Sequence, residues 1–321
     1  MAVTAGGALL IATETVGNHE YAVIDGNYVI DSGSPFDPTA VFSLLDDFTS
    51  SWVAVKGNMT VDSGQTFRPF ARKLFTVLYV AGDLTVDGII SMTARGANHS
   101  DDGGSVLSSP AFIRIAVGAV DGVTDPSVPG VGAAGAIGPS GSNDGFPGDD
   151  GVGGESGGGG GGATSFSQSG GAGADGTCFS GGSGGGGRYS SGGAADDATP
   201  NGGPGGDGSG SGGGGAGNPQ GLGGSGGSDG TGGTLIIIVE GQLSGTGVIE
   251  SQGSKGNDAQ NGGGGSGGGS ITVLAASVGG STPTLDATGG PRGETTGTNR
   301  PGGPGGDGST RLLVGSLVGL T

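Results

Sequence analysis

The residues able to move protons or attack electrophiles are few and scattered. Two histidines, His19 and His99, stand in polar, turn-like contexts, and the one cysteine, Cys178, reads as a small buried apolar side chain. Carboxylates come as adjacent pairs, Asp46–Asp47, Asp101–Asp102, Asp149–Asp150 and Asp196–Asp197. Glycoside hydrolysis needs two carboxylates held several ångströms apart across a rigid cleft, which adjacent loop aspartates do not provide. No nucleophile elbow accompanies either histidine. The string GGPGGDGS, at residues 202–209 and again at 302–309, opens like a calcium-binding nonapeptide. It then places Ser209 and Ser309 where a large apolar residue is required, and no tandem nine-residue spacing follows. The many GxGxxG-like strings lack the flanking strand, helix and downstream acid of a nucleotide site. The chain is therefore expected to have no catalytic residues, no metal site and no cofactor, and not to be an enzyme.

Charge narrows the partners. The formal net charge is −18, with 11 Lys and Arg against 29 Asp and Glu. Phosphate binding needs clustered cations, so nucleic acid is excluded as a partner, and an anionic membrane surface is disfavoured on the same ground. The opening MAVTAGGALLIATETVG lacks a basic n-region, and its apolar run at residues 8–12 is too short for a signal peptide. No stretch reaches the length of a bilayer span.

The elements that would position any site fall into two compositions. Residues 1 to about 117 carry short β-branched runs bounded by Gly, Asp, Asn or Pro: 21–30 (YAVIDGNYVI), 51–56 (SWVAVK), 74–80 (LFTVLYV), 83–92 (DLTVDGIISM) and 111–117 (AFIRIAV). These read as strands joined by turns. Residues 38–48 (PTAVFSLLDDF) predict one helix, with Asp37 as its cap and Pro38 at its first position. From about Asp121 glycine dominates, interrupted by apolar blocks at 234–251, 270–278 and 311–320. The predicted fold is a mostly β N-terminal domain over 1–120 and a glycine-rich domain over 121–321 flanked by short β-strands, with little α.

Two of the apolar blocks repeat. VLYVAGDLTVDGII (77–90) laid over IIIVEGQLSGTGVI (236–249) without gaps matches Val80 to Val239, Gly82 to Gly241, Leu84 to Leu243, Gly88 to Gly247 and Ile90 to Ile249. Such repetition points to layered architecture rather than random coil.

Chains that bury little apolar surface do not offset their ordering entropy, so 86 glycines first suggest a linker. Yet the stretch from about 128 to 234 carries long runs with scarcely any charge and an aromatic at intervals, features that a linker does not need. Polyproline II geometry, with three residues per turn, lets side-by-side glycine helices hydrogen-bond to one another, because no Cβ intervenes. The every-third-residue glycine of collagen is missing. A bundle of packed polyglycine II helices fits runs such as GGESGGGGGG and GSGSGGGG. The inserts between runs, SNDGFPGDD, ATSFSQS, TCFS and RYSS among them, become projecting loops. Phe146, Phe166, Phe179 and Tyr189 are then the candidate contact residues.

The start MAVT, the β-rich first hundred residues, the transition GIISMTARGANHSDDGG and glycine runs broken by aromatic-bearing inserts together resemble the tail-fibre tip adhesins of T-even-like bacteriophages. The resemblance implies an N-terminal part that attaches to other tail or fibre subunits. It also implies a polyglycine II part whose loops bind a bacterial surface receptor, protein or polysaccharide. The chain would then be made in the host cytoplasm without a signal peptide and reside in the virion, at a tail fibre or tail tip. One copy on a trimeric fibre and a homotrimer sharing its glycine layers are both compatible with it. The apolar blocks at 234–251 and 270–278 and the repeat are additional to that layout. A structural fibre or decoration protein and a polysaccharide depolymerase are the alternatives.

Overall fold

The computed structural model describes residues 3–5, 8–16, 19–32, 50–70, 73, 75–96, 232–256, 258, 265–294 and 303–315. Every regular element among them is a strand: β1 (Val3–Ala5), β2 (Ala8–Val16), β3 (His19–Asp25), β4 (Tyr28–Ile30), β5 (Ser50–Val55), β6 (Met59–Val61), β7 (Thr66–Phe67), β8 (Phe75–Val80), β9 (Leu84–Val86), β10 (Ile89–Ser91), β11 (Thr234–Ser244), β12 (Val248–Glu250), β13 (Ser270–Val278), β14 (Thr284–Asp286) and β15 (Ser309–Val314). The helix predicted over 38–48 and the strand predicted over 111–117 lie outside the described residues.

The strands wind into a three-sided parallel solenoid. The first side stacks β3, β5, β8, β11, β13 and β15 in parallel register. The second side stacks β4, β6, β9 and the end of β11, and the third stacks β7, β10, β12 and β14. At the N-terminal end β1 and β2 add antiparallel to β3. Because β8 pairs directly with β11, one continuous sheet includes strands from both sides of residue 120.

Parallel register puts like residues on top of one another, and the core is built from such ladders. On the first side Ala22, Val53, Leu78, Ile237, Val273 and Leu312 form one inward row. Tyr28, Met59, Leu84 and Leu243 form another on the second side, and Phe67, Ile90, Ile249 and Leu285 one on the third. All but the last coil's Leu312 and Leu285 are fully or nearly buried. Each fully buried aliphatic side chain contributes about 1.5–3 kcal/mol. The outward residues Val77, Ile236, Ile238 and Leu274 are buried as well. Covered on both faces, these strands show near-continuous apolar runs (FTVLYV, LIIIV) instead of alternation.

The turn from first to second side recurs as Gly followed by Asn, Asp or Gln: Gly26–Asn27, Gly57–Asn58, Gly82–Asp83, Gly241–Gln242. The first three of these side chains each accept a hydrogen bond from the coil above. Asn27 Oδ1 takes the Asn58 amide (2.9 Å), Asn58 Oδ1 the Asp83 amide (2.9 Å), and Asp83 Oδ1 the Gln242 amide (2.8 Å). The ladder thus saturates backbone donors that a turn would otherwise leave open. A Cβ on Gly57, Gly82 or Gly241 would press into the backbone of the coil below, whereas Gly26, with open space around it, is set by its φ of +89°.

One ion pair is wholly internal. Lys73 Nζ donates to Glu20 Oε2 at 2.6 Å, with both side chains fully buried. It ties β3, beside the N-terminal hairpin, to the chain entering β8, a link that the apolar ladders do not make.

Candidate binding surface

The third corner, between the third side and the next first-side strand, carries the long connections. The chain leaves it at residues 92–96, 251–256 and 287–294 and returns at 232–233, 265–269 and 303–308. Segment 92–96 (MTARG) makes a turn, with Ala94 at φ 53° and the Arg95 amide donating to the Met92 carbonyl at 2.9 Å, whereas the other segments are extended and glycine-rich and hydrogen-bond to one another instead of to a side-chain core.

Segment 265–269 shows the pattern. The Gly265 and Gly268 amides donate to the Gly303 and Gly306 carbonyls (3.0 Å each). The Ser266 and Gly269 amides donate to Ser254 (3.1 Å) and Ser251 (2.6 Å) carbonyls on the opposite side. In return its carbonyls at Gly267, Ser266 and Gly269 accept from Gly232, Gly290 and Ser309. Donors directed to one neighbour recur every third residue, here and in Gly253 and Gly256 toward Thr288 and Pro291, and in Gly305 and Gly308 toward Gly290 and Ala287. A three-residue period is what a three-fold extended helix offers its neighbours. Residues 265–269 are all buried by this packing.

The backbones approach too closely for any other residue. A Cβ on Gly308 would overlap the Gly269 carbonyl oxygen, and one on Gly290 the Ser254 carbonyl oxygen, whereas one on Gly280 would meet nothing. Gly308→Ala and Gly290→Ala are therefore each expected to cost about 1–3 kcal/mol, the range for overpacking. Gly280→Ala is expected to leave the urea midpoint within error. Equal tolerance at all three positions would contradict this packing.

Side chains close the edges of the layer. Asp307 Oδ1 accepts the Gly289 amide at 2.7 Å, so the second GGPGGDGS copy spends its carboxylate on a neighbouring segment. Asp286 accepts from the Thr288 amide (3.0 Å) and from Gln252 Nε2 (2.5 Å). Its burial pushes the carboxyl up, but the Thr288 amide, the Gln252 amide and the Thr288 hydroxyl outweigh that and hold it below its ordinary value. The stabilisation is present above the unfolded carboxylate pKa of about 3.9 and is lost as pH falls through the lower folded value. Asp286→Asn should accordingly flatten the acid limb of a stability-against-pH curve and leave its slope near neutrality unchanged. An unaltered acid limb in Asp286→Asn would refute the assignment.

Farther out, Lys255 Nζ contacts Asp258 at 2.8–2.9 Å, and Asp258 Oδ1 accepts the Glu294 amide at 2.7 Å. Lys255 is raised by its bond to Asp258, and Asp258 is lowered by Lys255 and by the Glu294 amide. These exposed charges join the outgoing segments of two successive coils. Among the described residues no group of three or more His, Cys, Asp or Glu could hold a metal ion.

The candidate contact residues Phe146, Phe166, Phe179 and Tyr189 lie outside the described residues, as do His99, Cys178 and all four aspartate pairs. All but Asp46–Asp47 belong to the stretch 97–231, and the structure fixes both its ends at this corner. Gly96 bridges Lys73, and the Gly233 amide donates to the Met92 carbonyl at 3.2 Å. The stretch therefore leaves and re-enters between two adjacent coils. The Asn27–Asn58–Asp83 ladder, the Glu20–Lys73 pair and the Lys255–Asp258–Glu294 contact are additional to the residues expected from sequence. The recurring Gly–Asn/Asp after each apolar run signals the first; the other two leave no local trace. Comparison with known protein families, with curated proteins and with solved structures finds no match to the chain.

Proposed function

We propose that the chain is a bacteriophage tail-fibre or tail-tip adhesin that binds a bacterial surface receptor without chemistry, through loops joining glycine-rich helices. The observation that carries the reading is the third corner. Its glycine segments hydrogen-bond at three-residue intervals, which supports extending the same polyglycine II packing into 97–231. That stretch then presents Phe146, Phe166, Phe179 and Tyr189 as rigid aromatic contacts on a scaffold anchored to the solenoid. Aromatic anchors on a fixed base lose little conformational entropy on binding. The N-terminal coils serve attachment to other tail or fibre subunits.

Replacing Phe146, Phe166, Phe179 and Tyr189 together by Ser tests this on purified protein binding to host cells. A loss of tenfold or more is expected, roughly what removal of one strong hot spot produces. Undiminished binding with an unchanged circular dichroism spectrum would assign the glycine region a structural role between virion subunits.

A further inference from the structure

We propose that the solenoid interior holds one structural water molecule, bound by Ser51 and Thr76 beside the Glu20–Lys73 pair. Glu20, Ser51 and Thr76 form an inward row on β3, β5 and β8, in register from strand to strand. Their exposures are 0%, 0% and 1%. The next members of the row are the apolar Leu235 and Ile271, and the last, Thr310, is exposed, so among the buried members polarity is confined to the first three coils. Ser51 Oγ and Thr76 Oγ1 are buried and make no hydrogen bond among the described residues. Buried hydroxyls are seldom left so, because desolvation without a partner is costly.

The same molecule shows what in-register hydroxyls do when nothing stands between them. Thr85 and Ser244 meet at 3.3 Å, and Ser309 donates to Ser270 at 3.2 Å. Ser51 and Thr76 share that register and do not bond. Strands about 4.8 Å apart, with water oxygens about 2.8 Å from each hydroxyl, give an angle of roughly 118° at a shared water, close to tetrahedral. Ser51 also stands where later coils have Leu235 and Ile271, and its smaller side chain frees the volume. The Glu20 carboxylate, next in the row, supplies a third partner, and a buried water is ordinarily held by two to four. Such a water completes the hydration that the ion pair forfeits on burial.

The test uses the full chain and does not depend on the proposed function. Thr76→Val, which keeps the shape and removes the hydroxyl, is expected to lower Tm by about 2–6 °C, while Thr76→Ser keeps the wild-type value. Ser51→Ala with Thr76→Val should lose little more than either alone, because both remove one shared molecule. High-resolution diffraction should place solvent density about 2.8 Å from both oxygens. A Tm for Thr76→Val at or above wild type, additive losses in the double variant, or direct contact between the two hydroxyls would each overturn the proposal.

Discussion

Removing residues 97–231 and closing Gly96 onto Gly232 through a short turn is expected to leave a folded solenoid that no longer binds host cells. The coils on either side of the stretch are already stacked. β8 and β11 pair from Phe75↔Thr234 to Val80↔Val239, and β10 pairs with β12. Across the same junction Asp87 Oδ1 accepts the Thr246 amide (3.0 Å), Thr93 Oγ1 accepts the Gln252 amide (2.9 Å), and Ser91 donates to Glu250 (2.8 Å). None of these contacts draws on 97–231. Closing a shorter loop also costs less entropy: cutting the excursion to a few residues is worth up to about 3 kcal/mol, at about 0.6 kcal/mol per halving. The shortened protein should therefore keep its β circular dichroism and unfold cooperatively, while cell binding falls by the full amount attributed to the aromatic inserts. Loss of the β-signature would show that the excursion completes the core. Retained binding would move the receptor surface onto the solenoid.

The second large effect concerns the buried pair. Lys73→Met takes the Lys73 cation away from the fully buried Glu20 carboxylate, and Glu20→Leu takes that carboxylate away from Lys73. Each single change is expected to cost about 3–5 kcal/mol, whereas the double change Glu20→Leu with Lys73→Met should return most of that loss, because two desolvated charges are removed together. Equilibrium unfolding of the three variants reads this as a coupling energy. Single variants within about 0.5 kcal/mol of wild type, the range of neutral surface changes, would mean that the pair is not internal in solution.

Much of the solenoid is legible in the chain once its repeat is seen. The gapless match of Val80, Leu84 and Ile90 to Val239, Leu243 and Ile249 is the register of two neighbouring coils: the Thr85–Ser244, Asp83–Gln242 and Thr93–Gln252 hydrogen bonds all span 159 residues. The same motif stands earlier, as GNYVID at Gly26 and GNMTVD at Gly57, beside GDLTVD at Gly82. Reading all copies together predicts a stack, because parallel coils require like residues at like positions. What hid the stack is the excursion: a ladder contact between residues 159 apart looks, by composition, like a contact between two domains. The buried pair was not legible for a different reason. Glu20 and Lys73 sit among ordinary turn and strand residues, and the topology alone turns them inward. The third-corner glycines were legible as a class, since only glycine allows backbones so close, but not which segment bonds to which.

Whether the glycine segments are held by one another's backbones is tested most directly by amide hydrogen exchange. Amides of residues 265–269 and 303–308 that donate within the layer, Gly265, Ser266, Gly268, Gly269, Gly305 and Gly308, should exchange as slowly as those of β11 and β13. Protection of the glycine runs within 97–231, with fast exchange at inserts such as RYSS, is the extension that the adhesin reading predicts. Fast exchange throughout 251–256, 265–269, 287–294 and 303–308, beside protected strands, would contradict the account and reduce the glycine-rich corner to loops on a solenoid.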